Sequence, residues 1–227
     1  MPVEVPPSDL LPEPRRRAVP YLYSDADVAA LLDSAGTLPT PHRVATFRTL
    51  IGLLAATGMR RGEAIALGRE DFDPATGVIV IRAAKFDTSR ELPLHPTTVN
   101  GVSDYLRRPD RPRAAIPDEA TLLVGDDGQR LSPNVVNHTF RALVRSAGLR
   151  PRSAECRPRA HDLRHTFAVR TLLDAYRSGE PIGPRLVALS TYLGHSETSH
   201  TYWYLQAAPE LLALATDRLE RHIGGGR

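Results

Sequence analysis

Residues 77–94 read GVIVIRAAKFDTSRELPL, and this stretch predicts a pair of short strands in a chain otherwise patterned as helices. The β-branched run VIVIR favours a strand, FDTS at 86–89 favours a polar turn, and RELPL favours a returning strand. Pro93 lacks a backbone donor, which indicates that the second strand is short or lies at a sheet edge. We therefore expect a small antiparallel sheet here.

Helical patterns lie on both sides of these strands. Ser24 followed by acidic residues predicts a helix over about 25–35. Val44, Phe47, Leu50, Ile51 and Leu54 recur at helical spacing and predict a core helix that runs to Gly58. Further helices are expected over 61–67, 96–107, 132–147, 161–177, 184–193 and 209–222. The predicted fold class is mainly α (α+β), a helical domain with a small antiparallel β-sheet.

The composition indicates one domain of ordinary size. The chain has 227 residues, of which 41% are hydrophobic, and this is enough for a real core. Its single cysteine, Cys156, excludes an intramolecular disulfide framework and a cysteine-based zinc site. Apolar runs are too short to cross a bilayer. We expect no membrane contact and a reducing, cytoplasmic environment.

Pro-rich and Gly-rich segments set the expected domain bounds. Residues 1–20 hold six prolines and the run RRR at 15–17, which predicts an N-terminal arm or linker. This arm is either disordered or a basic segment that touches a polyanion. Residues 21–222 are expected to form the globular domain, and residues 223–227 a flexible tail.

The positive charge is concentrated and consists almost wholly of arginine. The formal net charge is +3, yet residues 141–170 hold eight arginines against two acids. This local excess suits a polyanionic partner, although a solvated surface would look the same. Of 29 basic residues 28 are arginine, and the only lysine is Lys85.

The last third of the chain holds groups suited to attack on a phosphodiester. HDLRH occupies 161–165, LGH occupies 193–195, and Tyr204 follows nine residues after His195. The fork of Arg164 can bind two phosphate oxygens, and a phenol can act as nucleophile. Singly, each of these residues has an ordinary structural interpretation. Together they indicate covalent chemistry on a nucleic-acid backbone that needs no metal.

His161 and His165 also have the i, i+4 spacing of a zinc-binding pair. No third ligand is evident beside them, and Arg164 between them would repel a cation. We therefore expect no metal and no other cofactor.

The first half of the chain supplies a second phosphate-binding group and a proton donor. In TGMRRGE at 57–63, a glycine precedes Arg60, and Glu63 lies three residues on, on the same predicted helical face, where it can orient Arg60. Lys85 lies between the two predicted strands. Unlike arginine, lysine can give up a proton near neutral pH, so it can protonate a leaving oxygen. Both residues are alternatively plain surface residues.

These motifs together resemble the tyrosine recombinase (phage integrase) family over about residues 21–220. TGMRRGE resembles its first arginine motif, AK followed eight residues on by PL resembles its hairpin lysine, and HDLRHT resembles its second arginine motif. LGHS and Tyr204 resemble its last histidine and its nucleophile. The resemblance implies a site-specific recombinase or integrase that binds double-stranded DNA and acts for a mobile element. It also implies an association with the bacterial nucleoid.

The resemblance also implies a role for each residue. Tyr204 would attack the scissile phosphate to give a 3′-phosphotyrosine and a free 5′-hydroxyl, without ATP. Tyr202 competes for this role, but it lies seven residues after His195, and the family spacing is nine. The other implied roles are phosphate binding by Arg60 and Arg164, protonation of the 5′-oxygen by Lys85, general base for His161, hydrogen bonding to phosphate by His195, and support by Glu63 and His165.

Family members usually carry a separate core-binding domain before the catalytic domain, and none is visible here. The alternative is therefore a catalytically impaired DNA-binding remnant or a subunit that depends on other recombinase subunits. An activity like that of type IB topoisomerases, which share the phosphotyrosine step, is a further alternative. The resemblance implies a homo-oligomer on DNA, and the amphipathic segment 209–222 packs either on its own domain or on a neighbouring protomer.

Overall fold

The computed structural model describes residues 19–84, 88–112 and 121–194, and most of its regular structure is helical. The helices are α1 (Asp25–Ser34), α2 (Pro41–Thr57), α3 (Arg61–Ala66), α4 (Pro96–Arg107), α5 (Pro133–Ser146), α6 (Asp162–Arg177) and α7 (Ile182–Leu193). The strands are β1 (Phe72–Asp73), β2 (Val78–Ala84) and β3 (Thr88–Pro93). The predicted fold class, mainly helical with a small antiparallel sheet, is confirmed.

Helix α2 is the central element of the domain. Its first turn is capped by Thr40, whose Oγ1 accepts a hydrogen bond from the backbone N–H of Arg43 at 3.1 Å, and Pro41 follows where no backbone donor is needed. Its buried side chains include Phe47, Leu50, Ile51 and Leu54, as predicted. Helices α1, α4 and α6 pack around it, which places its C-terminal end in the interior of the domain.

The sheet has the order β1-β2-β3 and is antiparallel throughout. Within the described residues β3 lies at its edge, as Pro93 predicted. The pairing of Ala84 with Thr88 extends the ladder further than expected. The predicted turn over 86–89 is therefore wrong at 88 and 89, because backbone pairing outweighs the turn preference of Thr88 and Ser89.

The hydrophobic core has two parts. The larger part includes residues from α1 to α5 and from the sheet, and the smaller part lies between α6 and α7 around Leu172, Leu189 and Leu193. The start of α6 lies where the two parts meet, close to the ends of α2 and α7. This junction is where the candidate site is built.

The segment before α1 is held against α6. The backbone N–H of Tyr23 donates to Oγ1 of Thr166 at 2.9 Å, and Arg170 donates to the carbonyl of Tyr23 at 2.9 Å. Pro20 is buried. Residues 1–18 of the expected arm, the expected helix 209–222 and the tail lie outside the described residues. Across residues 19–84, 88–112 and 121–194, no helix combines the length and apolar character needed to cross a bilayer.

Candidate active site

A tight turn between α2 and α3 places Arg60 at the end of α2. Gly58 ends α2 with a backbone φ of 61°, a left-handed conformation that residues with a β-carbon rarely adopt. A β-carbon at Gly58 would lie 2.6 Å from Cδ1 of Phe167, so the turn passes directly against α6. Arg60 follows as the N-cap residue of α3, with extended backbone and 40% of its side chain exposed. It therefore precedes α3, and the prediction that it shares a helical face with Glu63 is wrong.

Glu63 is the acceptor that holds Arg60. Its Oε2 accepts from the backbone N–H of Arg60 at 2.7 Å, and its Oε1 accepts from Nη1 of Arg60 at 2.9 Å. Arg90 on β3 binds the same carboxylate from the other side, with Nη1 to Oε1 at 3.0 Å and Nη2 to Oε2 at 2.7 Å. Burial acts to raise the pKa of Glu63, but the hydrogen bonds from Arg90 and Arg60 outweigh it and lower the pKa. Glu63 is therefore ionised at neutral pH and shared by two guanidinium groups.

Arg164 on α6 is fixed by the ends of two other helices. Its Nη1 donates to the carbonyl of Gly58 at 2.9 Å and its Nη2 to the carbonyl of Leu193 at 2.8 Å. These carbonyls belong to helix C-termini, where the helix dipole favours a positive charge. Only 2% of Arg164 is exposed. The guanidinium thus joins α2, α6 and α7 at one point.

His161 and His165 lie together at the start of α6, with ring centroids 4.7 Å apart and planes at 86°. His161 is the N-cap residue, so it precedes the helix that was predicted to begin with it. The neighbouring Asp162 is fully buried and accepts hydrogen bonds from Nε and Nη2 of Arg159 at 3.0 and 2.9 Å. This pair closes the turn before α6 and so determines where His161 lies.

The imidazole of His161 is biased towards its neutral form. The residue is solvent-exposed, but the protein around the imidazole ring removes part of the hydration of its charged form. This desolvation lowers the pKa of His161. The positive charges of Arg164, Arg159 and Arg60 lower the pKa further, and Asp162 opposes them. Neutral imidazole is the form that can accept a proton.

Three of the predicted site residues, Lys85, His195 and Tyr204, lie outside the described residues, as does the competitor Tyr202. The chain leading to His195 is described. Gly194 ends α7 with a φ of 67°, and its carbonyl accepts from Nη2 of Arg60 at 3.0 Å. The residue before His195 therefore contacts the first predicted phosphate-binding arginine. Arg60, Glu63 and Arg164 therefore lie close together at the ends of α2 and α7.

Arg90 belongs to this cluster of contacts, and the sequence interpretation missed it. It lies on the same face of β3 as Leu92, which is buried, and its side chain is 10% exposed. A charged residue on the inward face of a strand needs a partner. The alternation of residues along β3, which puts Arg90 on the same face as Leu92, could therefore have indicated that Arg90 is paired.

One face of α5 carries an exposed polar stripe. Asn134, His138, Arg141 and Arg145 are all exposed and recur at helical spacing. Asn137 on the same helix accepts a hydrogen bond from Nη1 of Arg61, the residue after Arg60. Helix α5 thus contacts the start of α3 through one side-chain hydrogen bond.

Comparisons with known proteins agree with these motifs. The chain matches the model of the phage integrase family over residues 23–210. A candidate integrase/recombinase of Sinorhizobium fredii, y4rB, is 41% identical over 223 residues, which are 96% of this chain and 71% of that protein. Tyrosine recombinase XerC of Rhodospirillum centenum is 34% identical over 209 residues, which are 89% of this chain and 55% of that protein. The chain thus spans about half to seven-tenths of the length of these relatives.

Solved structures share the fold. XerA recombinase superposes with a TM-score of 0.68 at 22% identity, covering 92% of this chain and 66% of that one. The catalytic domain of bacteriophage HP1 integrase superposes with a TM-score of 0.56 at 20% identity, covering 87% of this chain and 94% of that one. The fold is therefore that of a recombinase catalytic domain. The chain belongs to the phage integrase family, the tyrosine recombinases, which are enzymes that cut and rejoin DNA strands at specific sites.

Proposed function

We propose that this chain cleaves and rejoins DNA strands for a mobile element through a 3′-phosphotyrosine formed on Tyr204. The observation that carries the proposal is the convergence of Arg60 and Arg164 at the ends of α2 and α7, where Arg60 contacts Gly194, the residue before His195 in the sequence. A pentavalent phosphorus transition state gains negative charge on its non-bridging oxygens. Guanidinium groups held in place before the reaction stabilise that charge without reorganisation.

The proposed step needs no metal and no ATP. The phenol oxygen of Tyr204 bonds to phosphorus while its proton passes to His161, and the bond from phosphorus to the 5′-oxygen breaks. Lys85 gives a proton to that oxygen, which leaves as a 5′-hydroxyl. Arg60, Arg164 and His195 contact the non-bridging oxygens. Rejoining reverses these steps when a 5′-hydroxyl of another strand attacks the phosphotyrosine.

The DNA is proposed to lie across the site and along the exposed stripe of α5. Asparagine and arginine are suited to base edges or phosphates, and the stripe continues the basic stretch 141–170. We propose double-stranded DNA as the partner, with an oligomer assembled on it that consists of copies of this chain or includes other recombinase subunits. Action on the nucleoid in the bacterial cytoplasm follows from this partner.

The test is formation of a covalent protein–DNA adduct. The full chain is incubated with duplexes that carry candidate element ends, nicked so that the cleaved fragment diffuses away, with and without EDTA. We expect a denaturation-resistant adduct in both conditions. DNA binding without an adduct would instead favour a non-catalytic remnant or a partner-dependent subunit, and plasmid relaxation without recombinants would favour a topoisomerase-like activity.

The cleavage rate is expected to depend on pH through His161. Because the pKa of His161 lies below its ordinary value of 6.5, the neutral base persists below pH 6.5. The second-order rate constant for adduct formation, measured below saturation, should fall on the acid side with the midpoint of its acid limb below pH 6.5. His161→Asn should be slower and lack this acid limb. A limb centred above pH 6.5, or one retained in His161→Asn, would contradict the assignment.

A further inference from the structure

Arg90 lies where three separate segments of the proposed site meet. Two of its nitrogens bind both oxygens of Glu63, and its Nε donates to the carbonyl of Tyr192 at 2.9 Å. Tyr192 is in the last turn of α7, and Glu63 is in α3. Arg90 itself is on β3, the strand that follows Lys85. One side chain therefore bridges the first arginine motif, the end of α7 and the hairpin.

The bridge depends on the shape of a guanidinium group. A planar fork can bind a carboxylate at two points while its third nitrogen donates elsewhere, and an ammonium group cannot reproduce this geometry. Arg90 and Glu63 are only 10% and 11% exposed, so the pair is little weakened by water. A β-carbon on Gly194 would lie 2.8 Å from Nη1 of Arg90, so the absence of a side chain there lets the fork reach Glu63.

Arg60 depends on the two groups that Arg90 holds. Its side chain donates to Glu63 and to the carbonyl of Gly194. Arg90 fixes the first of these acceptors directly and fixes the second through the neighbouring Tyr192. Without Arg90, a half-exposed Arg60 would keep the same partners but lose the element that holds them in place.

We propose that Arg90 is a positioning residue for strand cleavage, which orients Arg60 through Glu63 and the end of α7. The proposal rests on the proposed function. Arg90 does not contact the DNA in this role. Its effect is on the geometry of the phosphate-binding arginine, and misplacement of such a group by about 1 Å slows a reaction on the order of 10²-fold.

The test compares Arg90→Gln and Arg90→Lys in single-turnover adduct formation at saturating DNA. We expect a loss of about 10²-fold in rate for both, with the dissociation constant for DNA changed by less than about threefold. In a double-mutant cycle with Arg60→Ala, the losses should be far from additive, because both variants disable the same group. A substrate with sulfur as the bridging 5′-atom leaves without a proton, so it should restore Lys85→Ala but not Arg90→Gln.

Arg107→Gln is the matched control, since it also removes an arginine–carboxylate pair, but one with 72% of the arginine side chain exposed on α4. Its cleavage rate should stay near that of the wild type. Additive losses in the cycle, recovery of Arg90→Gln on the sulfur substrate, or unfolding of both Arg90 variants would overturn the positioning role. An inactive wild type would instead overturn the proposed function, which keeps the two failures distinct.

Discussion

Replacing Tyr204 with phenylalanine is expected to lower covalent adduct formation by at least about 10⁴-fold, since removal of a nucleophile eliminates the covalent pathway. The substitution removes one oxygen, the atom that would bond to phosphorus. The aromatic ring and its packing area are retained, so folding and DNA binding should change little. Adduct formation on nicked duplexes and a gel-shift assay with the same DNA measure the two effects separately.

Tyr202→Phe is the matched control, because it removes the same atom from the other tyrosine of the segment YWY at 202–204. It should leave adduct formation near the wild-type level. An adduct that survives in Tyr204→Phe and disappears in Tyr202→Phe would move the nucleophile to Tyr202. An adduct that survives in both variants would show that neither tyrosine is the nucleophile.

Gly58→Ala is expected to destabilise the protein by about 2–5 kcal/mol, the sum of left-handed backbone strain and overpacking. The φ of 61° strains any L residue, and the new β-carbon would lie 2.6 Å from Cδ1 of Phe167 and 3.1 Å from Cδ2 of Leu193. Phe167 stacks on Tyr192 at 5.6 Å and cannot move alone. The shift would also displace the carbonyl that holds Arg164, so cleavage should slow in the molecules that remain folded.

Gly52→Ala is the control on the same helix, and it should raise the stability of the protein where Gly58→Ala lowers it. Nothing lies within 4 Å of a β-carbon at Gly52, and alanine in a helix interior is favoured over glycine by about 1 kcal/mol. Urea unfolding of both variants, with the slope compared to that of the wild type, measures the difference. A stability of Gly58→Ala within about 0.5 kcal/mol of the wild type would contradict the packing described at this turn.

Local sequence signals predicted most of the helices and the main strand pair. Helix α4 was predicted over 96–107 and occupies Pro96–Arg107, because its start is marked by a proline that suits the first helical position. Helix α7 begins at Ile182, two residues before the prediction, since Pro184 is tolerated within a first turn. Strand β1 was missed because its two residues, Phe72 and Asp73, are too few to carry an alternating pattern.

The sequence likewise predicted some residues of the candidate site and missed others. The motifs predicted Arg60 and Arg164 as site residues through their residue types and spacing, with Glu63 as a support, and the structure brings these three residues together. The acceptors of Arg164 are backbone carbonyls of Gly58 and Leu193, and a carbonyl has no residue type that a pattern could reveal. Arg90 was missed for a related reason, because its partner Glu63 lies 27 positions away in the chain.

The carbonyl anchors of Arg164 make the site unequally sensitive to mutation. A side-chain substitution can delete a donor, but it cannot delete a backbone oxygen. A substitution at Leu193, although it would disturb the core in which this side chain is buried, therefore leaves the anchoring oxygen present as long as the helix end keeps its course. That course is set by Gly58 and Gly194, both in the left-handed region. The position of the Arg164 guanidinium thus depends on the backbone conformation of two residues that have no side chain.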